Sequence, residues 1–194
     1  MQVTSILKYT VSVSVLSLLL ACSNGYKNTI SGKNTTSSYQ YPETLAISFS
    51  QDQPNWSVVN QAALEGKSLT EVIPEGDDIN QWRQLISITY SAYFVESEQN
   101  SVQDEMQNKL QAIKATCRSH LTTQVLAEND REITYEIQMK GCGTGMLANQ
   151  TQIARIVKGR AGFNSVHYAV KDPLVTASKL QEMQSLVSRA YLVN

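Results

Sequence analysis

Apolar and polar positions divide the chain into three regimes. Residues 9–21 carry no charge, residues 23–42 are dominated by Ser, Thr, Asn and Gly, and from residue 44 apolar residues recur with definite periods. In the third regime Leu45, Ile47 and Phe49 alternate with small residues, the period of a strand that ends at the turn-rich stretch 51–55. Residues 56–60 and 68–73 read as further strands separated by Glu65-Gly66-Lys67, and 74–78 as a turn. Residues 82–93 read as a strand because Ile86, Ile88 and Tyr90 alternate and Thr89 is β-branched. Val102, Met106, Leu110, Ile113 and Cys117 recur at spacings of 4, 4, 3 and 4, which predicts a helix over 101–117. Ser101 stands at its N-cap, and Asp104 and Glu105 fall in the first turn, where the helix dipole favours acids.

Two hairpins follow, 121–127 with 132–140 and 151–158 with 163–170. In 132–140, Ile133, Tyr135, Ile137 and Met139 face one way and polar residues the other. A terminal helix after Asp172-Pro173 carries Leu180, Met183, Val187 and Ala190/Tyr191 on one face. The order predicts an α+β domain over 44–194: an antiparallel sheet of about five to seven strands, with two amphipathic helices packed on one face and water on the other.

The first regime has the layout of a secretory signal peptide: one cation, Lys8, and then the uncharged run, too short to span a bilayer comfortably. It ends in Leu19-Leu20-Ala21-Cys22, which resembles the lipobox of bacterial lipoproteins. That resemblance implies cleavage after Ala21, removal of 1–21 and acylation of Cys22, so that the membrane is a partner through the lipid. With Ser and not Asp at position 23, it also implies delivery to the outer membrane, facing the periplasm. Two or more acyl chains anchor stably, at about 0.8 kcal/mol per buried methylene. Residues 22–43 read as the lipidated cysteine and a flexible tether, with a root-mean-square reach of roughly 25 Å.

Composition narrows the function classes. The 194 residues are 42% hydrophobic with 16 basic against 17 acidic side chains, which excludes global disorder and a strongly basic nucleic-acid binder. The near-neutral total hides polarity, because residues 65–105 hold nine acids against two bases and residues 106–194 eleven bases against six acids. Arg155, Lys158 and Arg160 concentrate the second set on one hairpin, as a candidate contact for a partner or an anionic polymer. Alternatively the two halves fold together and their fields cancel.

With Cys22 lipidated, Cys117 and Cys142 remain, and in an oxidising compartment a structural disulfide is expected. Two buried thiols or a reactive cysteine are the other states, and no Cys-x-x-Cys pair supports redox work. Gly141-Cys142-Gly143-Thr144-Gly145 reads as a turn, since it lacks the spacing of a phosphate or dinucleotide loop. His120 and His167 read as surface or hydrogen-bonded residues without ligand partners, His167 on the wet face. Residues 75–80 read as a solvated turn, not a calcium loop, and no catalytic signature, metal site or cofactor motif is present. The expected function is that of a non-enzymatic envelope lipoprotein, an accessory or assembly factor acting through contacts with an envelope protein. The alternatives are a carrier of lipid or another small hydrophobic ligand, and a hydrolase whose catalytic groups are scattered in sequence.

Overall fold

The computed structural model describes residues 43–49, 54–93, 101–117, 120–142, 149–171 and 175–193. The signal segment, Ala21, Cys22 and the tether up to residue 42 lie outside the described residues, as do 143–145 and Asp172-Pro173. The elements in chain order are β1 (Thr44–Ala46), β2 (Trp56–Leu64), β3 (Lys67–Pro74), β4 (Gln84–Ala92), α1 (Val102–Thr116), β5 (His120–Glu128), β6 (Glu132–Lys140), β7 (Gln150–Lys158), β8 (Gly162–Lys171), α2 (Ala177–Ser188) and β9 (Tyr191–Val193).

Seven strands form one antiparallel sheet in the order β2-β3-β4-β8-β7-β6-β5, and β1 pairs with β9 in a separate two-stranded ribbon. The sheet is two meanders joined where β8 returns to lie beside β4. The fold is thus α+β with an antiparallel sheet, as the periodicities require. At the chain ends the outcome differs from the expectation. The first strand stops at Ala46 and stays out of the main sheet, and the terminal helix stops at Ser188 because Tyr191–Val193 pairs with β1.

Placement of both helices on one face is overturned. Neighbouring residues of a strand point to opposite faces, and β7 divides its apolar residues between two cores. Ala154 and Ile156 pack with Val102, Met106, Leu110 and Ile113 of α1, whereas Ile153 and Val157 pack with Met183, Leu186 and Val187 of α2. The helices therefore cover opposite faces of the sheet. The physical reason lies in the central strands: all but one residue of Gly162–Val170 is buried, so both parities need cover. The expectation of one fully wet face fails for the same reason, although the polar parity of β6 remains half-exposed.

Both helices have a hydroxyl N-cap, Ser101 as its sequence position suggests and Thr176 in addition. The Ser101 hydroxyl accepts from the Asp104 amide at 3.1 Å, and the Thr176 hydroxyl accepts from the Lys179 amide at 3.1 Å. A third small core, Ile73, Trp82, Leu85 and Ala169, lies on the α1 face, away from that helix. Where β8 begins, a side chain on Gly162 would collide with the Ser91 carbonyl and the Tyr90 ring, so only glycine admits that approach.

Candidate functional site

Cys117 caps the C-terminus of α1 and Cys142 lies two residues past the end of β6, which brings their Cα atoms to 4.7 Å and closes a disulfide across 25 positions. Cys117 is buried in the α1 core and Cys142 packs against that core. The pair therefore fastens the end of a helix to the end of the strand it covers.

The three basic residues do not converge on one surface. Arg155 projects to the α2 face, where Nε donates to Glu132 Oε2 at 3.2 Å and Nη2 reaches the same oxygen. Its Nη1 lies 3.4, 3.1 and 2.7 Å from the carbonyl oxygens of Val187, Ser188 and Ala190. Its side chain is only 16% exposed, so the guanidinium closes the C-terminal end of α2, whose last carbonyls have no partner within the helix. Lys158, three residues on, belongs to the opposite parity and the opposite face. Arg160 sits in the β7–β8 turn, where its Nε donates to Glu43 Oε1 at 3.0 Å and its amide to Oε2 at 2.6 Å. The chain segment that would emerge from the tether is thereby held at this turn.

A cluster of polar groups lies beside α1, and no sequence motif announces it. Tyr135, Ala154, His167, Ser87, Glu71 and Asn60 are successive partners across β6, β7, β8, β4, β3 and β2, all on the α1 face. Ser165 and Thr89 stand side by side in the next row, their hydroxyls 3.1 Å apart. From the helix, Lys109 Nζ approaches Thr89 Oγ1 and Glu105 Oε1, each at 3.4 Å. Burial holds the Lys109 ammonium below its ordinary range, against the opposing pull of Glu105. The His167 ring bonds through Nδ1 to Gln152 Oε1 at 3.4 Å and meets the Tyr135 ring edge to face. Burial, aided by the Lys109 charge, pushes its pKa down to about 3, so the imidazole is neutral at physiological pH. The Tyr135 hydroxyl is buried and has no hydrogen-bond partner among the described residues, and burial raises its pKa.

Ser87, His167 and Glu71 share one row, yet their order does not make a nucleophile relay. In such a relay the histidine stands between the hydroxyl and the carboxylate. Here the serine is in the middle, and Glu71 stands two strands from His167, roughly 10 Å at the usual strand spacing. Glu71, 4% exposed, accepts instead from Asn60 Nδ2 at 2.9 Å. The arrangement can hold a neutral imidazole and a lysine of lowered pKa, but it does not deprotonate a serine. One signal in the sequence could have pointed to it: Ser87, Thr89, Ser165 and His167 are polar positions of one parity in two strands otherwise rich in apolar residues.

His120 lies exposed at the start of β5, opposite Lys140. Within 75–80, Asp78 Oδ1 accepts from the Asn80 amide at 2.8 Å and Asp77 pairs with Arg83 at 3.5 Å. Among the described residues no helix is long and apolar enough to cross a membrane. Compared with known proteins, the chain matches no family and no curated protein.

Proposed function

We propose that this chain is a lipid-anchored lipoprotein of the bacterial cell envelope, without enzymatic activity, that works as an accessory or assembly factor through protein contacts. The observation that carries the reading is Leu19-Leu20-Ala21-Cys22 at the end of an uncharged run behind Lys8. Cys22 is the acylated residue, and the stretch up to residue 43 gives the folded body its stand-off from the membrane. The Cys117–Cys142 disulfide supports an oxidising compartment outside the cytoplasm. Contact as the mode of action is supported by the uncharged outer strand β2, where Val58 and Val59 are 57% and 37% exposed. The dispersed roles of Arg155, Lys158 and Arg160 favour that strand over the basic hairpin as the contact surface.

The test is metabolic labelling with a fatty-acid analogue, followed by fractionation, of the parent chain and of Cys22→Ala. The parent takes up label and sediments with the outer membrane, and the variant does neither. Retention of Cys22→Ala in the outer-membrane fraction after a high-salt wash would refute the anchor.

A further inference from the structure

β2 is an outer strand of the seven-stranded sheet, and such edges offer unpaired N–H and C=O groups to whatever lies alongside. Its pairing with β3 through the two-residue turn Glu65-Gly66 directs the backbone groups of residues 60, 62 and 64 toward β3. Those of Gln61 and Ala63 therefore point away from the sheet, and among the described residues nothing bonds them there. Edge strands are ordinarily blunted by charge, proline or a bulge. β2 has a bulge between Val58 and Asn60 but not one charged side chain in nine residues. Phe49, stacked on Trp56 at 5.6 Å, extends the exposed apolar surface beside Val58. The opposite edge, β5, contains Glu128, which accepts from Gln103 of α1, so the helix reaches over that edge.

We propose that β2 pairs antiparallel with β2 of a second copy of this chain, about a two-fold axis through Gln61, joining two sheets into one. The proposal rests on the contact half of the functional reading, whose surface it adopts, and not on the anchor. Three features favour a second copy. In a two-fold contact each residue near the axis meets its own kind, and like charges directly opposite repel, so the strand must be neutral there. Gln61 carries both its backbone groups outward, the arrangement with which two equivalent residues exchange a pair of N–H···O bonds. The same axis sets Asn60 against Ala62, and β2 carries no charge from Trp56 to Leu64, so no like charges meet along the strand. Pairing of β2 with β5 would instead be head-to-tail and would extend into an open filament, whereas β2 with β2 closes at two copies. One added strand is a small interface, so the dimer is weak and concentration-dependent.

Single-cysteine variants of the full lipidated chain, treated with a short bis-maleimide in intact cells, test the pairing, with the parent chain as background. Covalent dimer is expected at Gln61→Cys, less at Ala63→Cys, and only background at Val125→Cys on the other edge. Adding Gln61→Lys to Ala63→Cys places like charges opposite each other and lowers dimer yield by about fivefold, the upper range for one cross-strand pair. A closed Cys117–Cys142 bond in each variant reports that the fold is intact. Dimer yield at Val125 equal to or above that at Gln61, or no dimer at either β2 position, overturns the proposal. Adducts of Gln61→Cys with a different protein overturn the second copy while leaving the contact reading standing. The anchor is read separately, by the fractionation of Cys22→Ala.

Discussion

Helix α1 ends in Cys117, bonded to Cys142 just past the end of β6, whereas α2 ends on three carbonyls that share the guanidinium of Arg155. Both fastenings tie the C-terminal end of a helix to the same sheet, from opposite faces. One is covalent and indifferent to pH and salt. The other combines a charge-assisted bond to Glu132 with the attraction of a cation to the negative end of a helix, and both parts depend on ionisation. The lesson is that a sheet buried on both faces must hold two layers of cover, and equivalent mechanical tasks can be met by unrelated chemistry. It also predicts that the two helices respond to different insults.

The largest effect expected is from Cys117→Ser with Cys142→Ser. Opening a loop of 25 positions costs about 3 kcal/mol in the chain-entropy account, read as a lowered denaturant midpoint. Amide exchange over Val102–Thr116 should accelerate more than over Ala177–Ser188, and equal acceleration of both helices would break the comparison. Next is Arg155→Ala, which removes the guanidinium shared by the Val187, Ser188 and Ala190 carbonyls and the Glu132 carboxylate and should cost about 2 kcal/mol, in the range for bonds to charged groups. Its exchange signature should be the reverse, fast in α2 and unchanged in α1. The two N-caps form the control pair. Ser101→Ala and Thr176→Ala each remove one hydroxyl acceptor and should each cost about 1 kcal/mol, because the caps, unlike the far ends, use the same chemistry.

The smallest effect at neutral pH grows in acid and separates the two faces again. The bonds from Arg155 hold the Glu132 carboxyl below its ordinary range, so its contribution is complete above pH about 4.3 and is lost as pH falls through the lowered folded value. His167 stays neutral in the fold down to about 3, while in the unfolded chain it takes a proton near pH 6.5. Between those values the unfolded state binds more protons, so stability falls as pH falls. His167→Gln, which retains an amide partner for Gln152, should flatten the stability profile from pH about 6.5 downward. Arg155→Ala should flatten only the part below about 4.3. Profiles that coincide would show that neither group titrates as its surroundings dictate.

Much of this architecture is legible one element at a time. The stripe from Val102 to Cys117 is a helix because its spacing gathers five apolar side chains on one face, and it ends where that stripe ends. The hairpins β5–β6 and β7–β8 follow from alternation around turn-forming residues, and their registers keep every apolar position of β6 on one face. The face each helix covers is not legible this way. Ile153 and Ala154 are equally apolar, and only the pairing of β7 between β6 and β8 shows that both parities are enclosed. The cluster around Lys109 and His167 escaped notice because its members are dispersed from residue 60 to residue 167 and meet only through strand register. The basic hairpin misled for the inverse reason: Arg155, Lys158 and Arg160 are close in sequence but are sent to different faces and a turn. Charge by segment has a similar fate. Among the described ion pairs, only Lys109–Glu105 joins the acidic stretch to the basic one.

Sequence alone determined the helix over Val102–Thr116 with its Ser101 cap and the strands of the hairpins β5–β6 and β7–β8. These are local properties, set by backbone propensity and by period, and they need no knowledge of what lies across space. Tertiary structure alone decided the strand order, the opposite faces of α1 and α2, and the pairing of β1 with β9, whereas the closure of Cys117 on Cys142 is the disulfide the sequence led one to expect. Tertiary structure also decided that Arg155 is spent on a helix end and that β2 is left at an edge. Each of these depends on which surfaces meet. Apolar burial is non-directional, so a pattern of apolar residues says that a face must be covered without saying by what.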